Sequence, residues 1–234
     1  MSPFTISPIL RTYLEKLKQP DFEDSIPYMY VDSVGKITVG VGHNLSAHRD
    51  HESLAFVVKR FDRHHVIGGD VGIPIPKEFR TLNRAATRSE IKNDFDFLHA
   101  HVGLKKYSPS NLEKYTTLEI PLSEINRVFE NDLKTHIDVA RREFGAAFEK
   151  FPIPCQAALI DFAFNAGSFR LFKRAFLPAV KGEGAYAGKP ESERWKAAAA
   201  ASPRAWVQSS RNLEVARWLN VGADEALNRR IAGP

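Results

Sequence analysis

The stretch EDSIPYMYVDSVGKITVGVGH, residues 23–43, decides the fold class, because it is the only convincing β segment of the sequence. From Tyr28 to Val41 the residues alternate and are rich in Tyr, Val, Ile and Thr, which favours β-strands. The segment DSVG, residues 32–35, interrupts the alternation in the manner of a turn. A β-hairpin or small sheet is therefore predicted here.

Helical patterns fill most of the remaining sequence. Ser7 and Pro8 match an N-cap and a first helical position, and apolar residues then follow helical spacing until Pro20. The run QAALIDFAFNAG, residues 156–167, is apolar nearly all round, which is typical of a helix buried at the centre of a bundle. These patterns predict an α+β protein that is mostly helical. Other helices are predicted over about 50–62, over Ser89–His101, from a cap at Ser123 to about Gly145, and after caps at Ser192, Ser202 and Ser210, with a Gly/Pro-rich loop over 68–76.

Composition limits the class of protein. The 234 residues are 43% hydrophobic, which is enough for a substantial core, and no stretch approaches the roughly 20 apolar residues of a membrane helix. The single cysteine, Cys155, cannot form an intramolecular disulfide. A formal charge of +5 favours polyanionic partners. Nucleic acid is disfavoured among them, because the cationic residues are scattered among 28 acidic ones.

The β segment resembles the catalytic stretch of a known enzyme family. Its pattern of Glu, then Tyr-x-Asp, then Gly-x-x-Thr-x-Gly-x-Gly-His is similar to that of the phage-type lysozymes, glycoside hydrolase family 24, which includes the T-even phage lysozymes and pesticin. The resemblance implies a lysozyme-like fold with a hairpin-containing lobe over 1–122 and a mainly helical lobe over 123–234, and with the active-site cleft between them. The first lobe would hold the catalytic hairpin at about 20–45 and an elaboration at about 46–118. The matching residues are Glu23, Tyr30, Asp32, Gly35, Thr38, Gly40, Gly42 and His43.

The resemblance assigns chemistry to three of these side chains. Glycoside hydrolysis needs one protonated carboxyl group, which gives a proton to the leaving oxygen, and an ionised carboxylate opposite it. Glu23 is then the general acid, Asp32 is the base that activates a water with inversion at the sugar, and Thr38 helps to hold that water. Tyr30 is expected to bind substrate. Either carboxylate taken alone is more often a solvated surface group, so this interpretation rests on the whole pattern.

Further matches lie later in the chain. The segment VFENDLKTHI resembles the family's lobe-joining helix, which implies that Asp132 pairs with His43 as structural support. ALIDFAFNAG places Asn165 where the family has an amide facing the sugar cleft. SSRNLEVARWL places Arg211 where an arginine supports the catalytic Glu, with Arg204 and Arg217 as alternatives.

Two departures from the family pattern stand out. The connection from Asn44 to Leu122 is longer than the family's usual one. The family often has Gly after its catalytic Glu, whereas this chain has Asp24, a second acid beside Glu23.

A metal enzyme is the rival suggested by a group of histidines. His48, His51, His64 and His65 lie in one segment, but they lack a ligand set with a recognised spacing. No metal and no cofactor are therefore predicted. A second rival is a catalytically inactive peptidoglycan-binding module of the same fold.

The expected activity is that of a muramidase, which hydrolyses the β-1,4 bond between N-acetylmuramic acid and N-acetylglucosamine. The expected context is a phage endolysin or a secreted antibacterial effector. No signal peptide is visible, so we expect a protein that is made in the cytoplasm and acts in the periplasm or cell wall. Peptidoglycan is the expected partner, and a periplasmic immunity protein and a secretion apparatus are further candidates. A monomer without stable membrane insertion is expected.

Overall fold

The computed structural model describes residues 4–58 and 84–232. Contacts group the chain into a helical unit, Met1–Glu23 with Asn131–Pro234, and a sheet unit, Asp24–Glu130. The α+β class is confirmed, because a small antiparallel sheet accompanies many helices. The helices are α1 (Pro8–Leu14), α2 (Leu45–His48), α3 (Arg88–Ala100), α4 (Leu122–Phe144), α5 (Ile153–Ala166), α6 (Phe176–Lys181), α7 (Glu191–Ala200) and α8 (Ser209–Ala232). The strands are β1 (Ile26–Val31), β2 (Ile37–Gly40), β3 (His43–Asn44), β4 (Val57–Val58) and β5 (Leu118–Glu119).

The sheet unit is built on the predicted hairpin. Strands β1, β2 and β3 pair antiparallel in that order, with Thr38 of β2 opposite Tyr30 of β1 and Asn44 of β3. A second, two-stranded sheet joins β4 to β5, so the hairpin region is not the only β structure. The pairing of two distant dipeptides leaves little local signal, and for this reason the sequence did not indicate it.

The helical unit is organised around α5. Residues Pro154–Ala163 of this helix are all buried, as the apolar run predicts, and α5 packs against α1 and α8. The helix ends at Gly167, whose φ of +67° is left-handed and whose N–H donates to the carbonyl of Ala163. Because α1 buries Leu10 and Leu14, contacts group it with the C-terminal helices, whereas the sequence analysis placed it in the lobe over 1–122.

Several predicted helices are confirmed by the structure. Ser7 caps α1 by accepting a hydrogen bond from the Leu10 backbone N–H at 3.2 Å, as expected. The predicted helices over 89–101 and 123–145 are α3 and α4. Two predicted caps are misplaced. Ser210 lies inside α8, which begins at Ser209, and Ser192 lies inside the first turn of α7.

Two helix predictions are wrong. Residues 51–58 form a 3-10 turn at His51–Ser53 and strand β4 rather than a helix, and the predicted loop over 68–76 lies outside the described residues. The helix predicted to begin after Ser202 is absent, since residues 203–208 are not helical. The side chain of Asn212 donates to the carbonyl oxygens of Arg204 and Val207, which are backbone groups that a helix would otherwise use. Within the described ranges, no helix has the length and the apolar character that crossing a bilayer requires.

Candidate active site

Glu23 forms an ion pair with Arg211 in the helical unit. The backbone N–H of Glu23 donates to the carbonyl of Leu17 at 3.1 Å, which holds the turn after the first helix. One carboxylate oxygen, Oε1, accepts a hydrogen bond from Nη1 of Arg211. The Glu23 side chain keeps 20% of its surface exposed, whereas that of Arg211 keeps 3%. A buried cation therefore orients a carboxyl group that remains accessible.

Arg211 is held in turn by a carboxylate in the middle of α5. Asp161 is fully buried, and its Oδ1 accepts from Nε of Arg211 at 2.8 Å and lies 2.7 Å from Nη2. Its other oxygen, Oδ2, lies 2.7 Å from Nη1 of Arg204, and both of these side chains are completely buried. Two arginines and two carboxylates thus form one compensated group, which we call the Asp161 cluster: Glu23, Asp161, Arg204 and Arg211.

The surroundings change the pKa values of both arginines in this cluster. Burial alone would lower the pKa of Arg211, but the negative charges of Asp161 and Glu23 outweigh it and raise that pKa above its usual value. For Arg204, burial outweighs the attraction of Asp161 and lowers the pKa. Arginine is effectively always protonated in proteins, so both guanidinium groups are charged at neutral pH.

Aromatic side chains close the cluster on one side. Phe22, the residue before Glu23, stacks on Trp218 of α8 with ring centroids 5.5 Å apart. The guanidinium carbon of Arg211 lies 5.4 Å from the centroid of the Phe22 ring, a distance suited to a cation–π contact. The sequence next to Glu23 therefore packs against the same arginine that binds its carboxylate.

Asp32 lies at the tip of the hairpin and is half-buried. Its Oδ1 accepts hydrogen bonds from the backbone N–H groups of Val34 at 3.0 Å and Lys36 at 2.7 Å. This carboxylate therefore closes the turn, which is a structural role that does not need a charge. A carboxylate has a second oxygen, so turn formation and base catalysis do not compete for the same atom.

Thr38 and Tyr30 are both buried, with exposures of 3% and 5%. They lie opposite each other on β2 and β1, and the Thr38 hydroxyl donates to the carbonyl of Lys36 at 3.4 Å. A ligand can therefore reach only a small part of either side chain. Glu23 belongs to the helical unit whereas Asp32 and Thr38 belong to the sheet unit, so their predicted cooperation stays a prediction.

His43 has a carboxylate partner that the sequence analysis did not single out. Its Nε2 lies 3.2 Å from both carboxylate oxygens of Asp50, and its ring stacks on that of His48 at 4.6 Å. Asp132 is buried at 7% exposure and belongs to the helical unit, so its predicted pairing with His43 stays a prediction.

The other three histidines considered as metal ligands are His51, His64 and His65. His51 stacks on Phe95 with centroids 4.1 Å apart. His64 and His65 lie outside the described residues.

Asn165 interacts with a tryptophan. Its Oδ1 accepts a hydrogen bond from the indole Nε1 of Trp206 at 3.0 Å. The family resemblance points to Asn165, whereas nothing in the sequence singles out Trp206, which falls in a predicted helix. Asp161 was missed as well, although a lone acid within a helix that is apolar all round is a signal, because a buried charge requires a partner.

Asp24, the departure from the family pattern, has a left-handed backbone with φ of +65°. This conformation favours Gly and is tolerated by Asn and Asp, whose short side chains bond locally. The Oδ1 of Asp24 accepts from the Ser25 N–H at 2.7 Å in this way. Gly and Asp are therefore both compatible with the backbone at position 24.

The described groups offer an oriented carboxyl group beside a buried cation and a second carboxylate on a hairpin turn. These are the side-chain types that acid–base hydrolysis of a glycoside uses. Comparisons of the chain with protein-family models, with curated proteins and with solved structures found no match.

Proposed function

We propose that this protein is a muramidase of lysozyme-like fold, which hydrolyses the β-1,4 bond between N-acetylmuramic acid and N-acetylglucosamine in peptidoglycan. The observation that carries the proposal is the ion pair between Glu23 and Arg211, with Arg211 held by Asp161. Burying charges costs several kcal/mol per ion unless they are well paired, and hydrophobic residues of similar volume are often at least as stabilising. Such a cluster next to a partly exposed carboxyl group is better explained by a functional requirement than by stability.

In the proposed mechanism the protonated form of Glu23 gives its proton to the glycosidic oxygen, and the carboxylate so formed pairs with Arg211. Arg211 fixes the orientation of the carboxyl group through Oε1. Asp32 takes a proton from the attacking water through the oxygen that the turn leaves for it, and the Thr38 hydroxyl holds this water. Because Thr38 is buried, such a water would occupy an enclosed position.

The proposal is tested by the release of soluble muropeptides from purified peptidoglycan. We expect wild type to release fragments with muramic-acid reducing ends and Glu23→Gln to release about 10²- to 10⁴-fold less, because general acid catalysis contributes a factor of this size. Glu225→Gln, the same change at an exposed position of α8, is the matched control and should keep full activity.

Two outcomes would contradict the assignment. If Glu23→Gln were as active as wild type, Glu23 would not be the acid. If folded wild type bound the sacculus without cleaving it, the protein would be a peptidoglycan-binding module rather than an enzyme.

We further propose that the protein acts in the periplasm or cell wall, as a phage endolysin or as a secreted antibacterial effector. Its net charge of +5 would attract it to an anionic envelope. Surface charges are screened by salt, so lysis should weaken between low and moderate ionic strength. Lysis that is independent of salt would exclude this role of the charge. For an effector, a periplasmic immunity protein that binds the chain and blocks hydrolysis is the expected partner.

A further inference from the structure

Trp206 differs from the other two tryptophans of the chain in its exposure. Trp195 and Trp218 are buried at 1% and 0%, whereas Trp206 keeps 54% of its surface exposed. Single exposed apolar side chains are common on protein surfaces, so a role for Trp206 must be inferred from what holds its ring and from what lies beside it.

The indole of Trp206 is held in place by its surroundings. Its N–H donates to Asn165 Oδ1 at 3.0 Å, and its ring lies 6.2 Å from that of Phe172. The backbone before and after it is fixed by Asn212, whose amide donates to the carbonyl of Arg204 at 2.9 Å and to that of Val207 at 3.2 Å. An aromatic ring that is already immobile loses little entropy when it binds a ligand.

The hydrogen bond also fixes the orientation of the Asn165 amide. An indole N–H can only donate, so the atom that faces it must be the oxygen of Asn165. The amide nitrogen, Nδ2, then points away from Trp206 and carries two N–H groups. Since Asn165 is half-buried rather than enclosed, this nitrogen is a donor available to a ligand.

Trp206 is linked to the Asp161 cluster in two ways, through its partner Asn165 on α5 and through Arg204, its near neighbour in sequence. Asp161 and Asn165 are four residues apart on this helix, so their side chains share one face about 6 Å apart along the axis. Asp161 binds Arg211, the partner of Glu23, while Asn165 binds Trp206. Arg204, two residues before Trp206, is also bound to Asp161.

We propose that Trp206 is the stacking platform of a subsite for an N-acetylated hexosamine. The apolar C–H face of the pyranose ring lies on the open face of the indole, and the acetamido carbonyl accepts a hydrogen bond from Nδ2 of Asn165. The substrate class rests on the proposed function, but the subsite requires only binding. The proposed subsite binds substrate, and the hydrolysis step assigned to Glu23 and Asp32 does not require it.

The subsite is tested by acrylamide quenching of the intrinsic tryptophan fluorescence. Because Trp195 and Trp218 are buried, quenching of the wild-type chain reports mainly on Trp206. We expect the N-acetylglucosamine tetramer to protect the tryptophan fluorescence from acrylamide, and this protection should saturate as the tetramer concentration rises. Wild type and Glu23→Gln should both show it, and Glu23→Gln should not hydrolyse the tetramer. Trp206→Phe supplies the baseline, since its remaining quenching should not respond to the sugar. Quenching that is unchanged at high sugar concentration overturns the proposal.

Variants provide the second measurement. We expect Trp206→Ala to raise the Kd for the tetramer about 3- to 10-fold, the effect of losing one aromatic contact, and to raise KM for peptidoglycan with kcat unchanged. Trp206→Phe should keep most of the affinity. Ile231→Ala, which removes an apolar side chain that is still more exposed than Trp206, is the control and should change neither value.

The outcomes separate this subsite from the proposed activity. Protection of Trp206 without hydrolysis would leave the subsite standing and refute the muramidase. Hydrolysis with a normal KM in Trp206→Ala and no protection would refute the subsite alone. The absence of both protection and hydrolysis would refute the two together.

Discussion

Asp161 binds Arg211 through two guanidinium nitrogens, at 2.8 and 2.7 Å, in the interior of the helical unit. Asp161→Asn removes the charge that compensates both Arg211 and Arg204. Breaking a buried ion pair typically costs about 3–5 kcal/mol, so we expect a loss of this size in the free energy of unfolding, measured with denaturant. Asp224→Asn is the control, because that carboxylate is 68% exposed and lies 3.9 Å from Lys196. Equal stability of the two variants would show that the cluster contributes nothing to the fold.

Asp32 has a structural role and a proposed chemical role, which substitution can separate. Asn keeps the Oδ1 acceptor that binds the N–H groups of Val34 and Lys36, so Asp32→Asn should preserve stability. It cannot serve as a base, so muropeptide release should fall by at least about 10²-fold. Asp32→Ala should lose activity and also about 0.5–2 kcal/mol of stability, as for other side-chain caps. An active Asp32→Asn variant would reduce Asp32 to a turn residue.

The left-handed backbone of Asp24 predicts an unusual order of substitutions. Asp24→Gly should leave the free energy of unfolding nearly unchanged, because the steric relief of Gly at φ of +65° offsets the loss of the hydrogen bond to Ser25. Asp24→Ala should cost about 1–2 kcal/mol, since Ala lacks both this freedom and the local hydrogen bond to Ser25. Asp21→Ala, an exposed neighbour, provides the comparison. If Ala were tolerated at position 24 as well as Gly, the backbone argument would be wrong.

Gly222 of α8 is a helical glycine that alanine should not improve. An exposed Gly→Ala change in a helix usually gains about 1 kcal/mol. Here a Cβ would overlap Sγ of Cys155 and lie 3.2 Å from Cβ of Pro152, so Gly222→Ala should lose about 1–3 kcal/mol instead. Cys155→Ala removes the overlapping sulfur, and the double variant should recover part of that loss. Additive effects in this double-mutant cycle, measured by denaturation, would contradict the packing that the structure describes.

The protonation of Glu214 should make the free energy of unfolding depend on pH. Hydrogen bonds from Arg217, Lys16 and Trp218 lower its pKa from 4.5 to about 2. A lowered pKa contributes stability that is complete above pH 4.5 and is lost as the pH falls toward 2. Glu214→Gln should therefore be less stable than wild type by ~1–3 kcal/mol at pH 7, and the difference should shrink at pH 3. Glu225→Gln, the same change at an exposed position of this helix, is the matched control in chemical denaturation.

The sequence predicted what local patterns determine. The hairpin, the cap at Ser7 and the buried α5 follow from alternation, capping chemistry and an apolar run, and the structure contains all three. The contact between Glu23 and Arg211 joins residues 188 positions apart, and only the family resemblance suggested it. No pattern in the nearby sequence predicts this contact.

Other features depended on contacts that sequence patterns do not show, and they were missed. The strand pair β4–β5, which joins distant segments, and the bonds from the Asn212 side chain to the segment after Ser202 satisfy the backbone where two helices were predicted. Asp50 beside His43 was overlooked because a carboxylate near a histidine is common in sequence and informative only in space.

Both ends of the described chain contribute to the helical unit, and this has a consequence for the cell that makes the protein. The sheet unit is continuous in sequence and can form once residue 130 has been synthesised, whereas the helical unit must wait for α8. Glu23 is made early, but its partner Arg211 is made 188 residues later. A chain still being translated therefore has no assembled Asp161 cluster. If the proposed activity holds, the producing cell meets a competent hydrolase only after residue 211 has been synthesised.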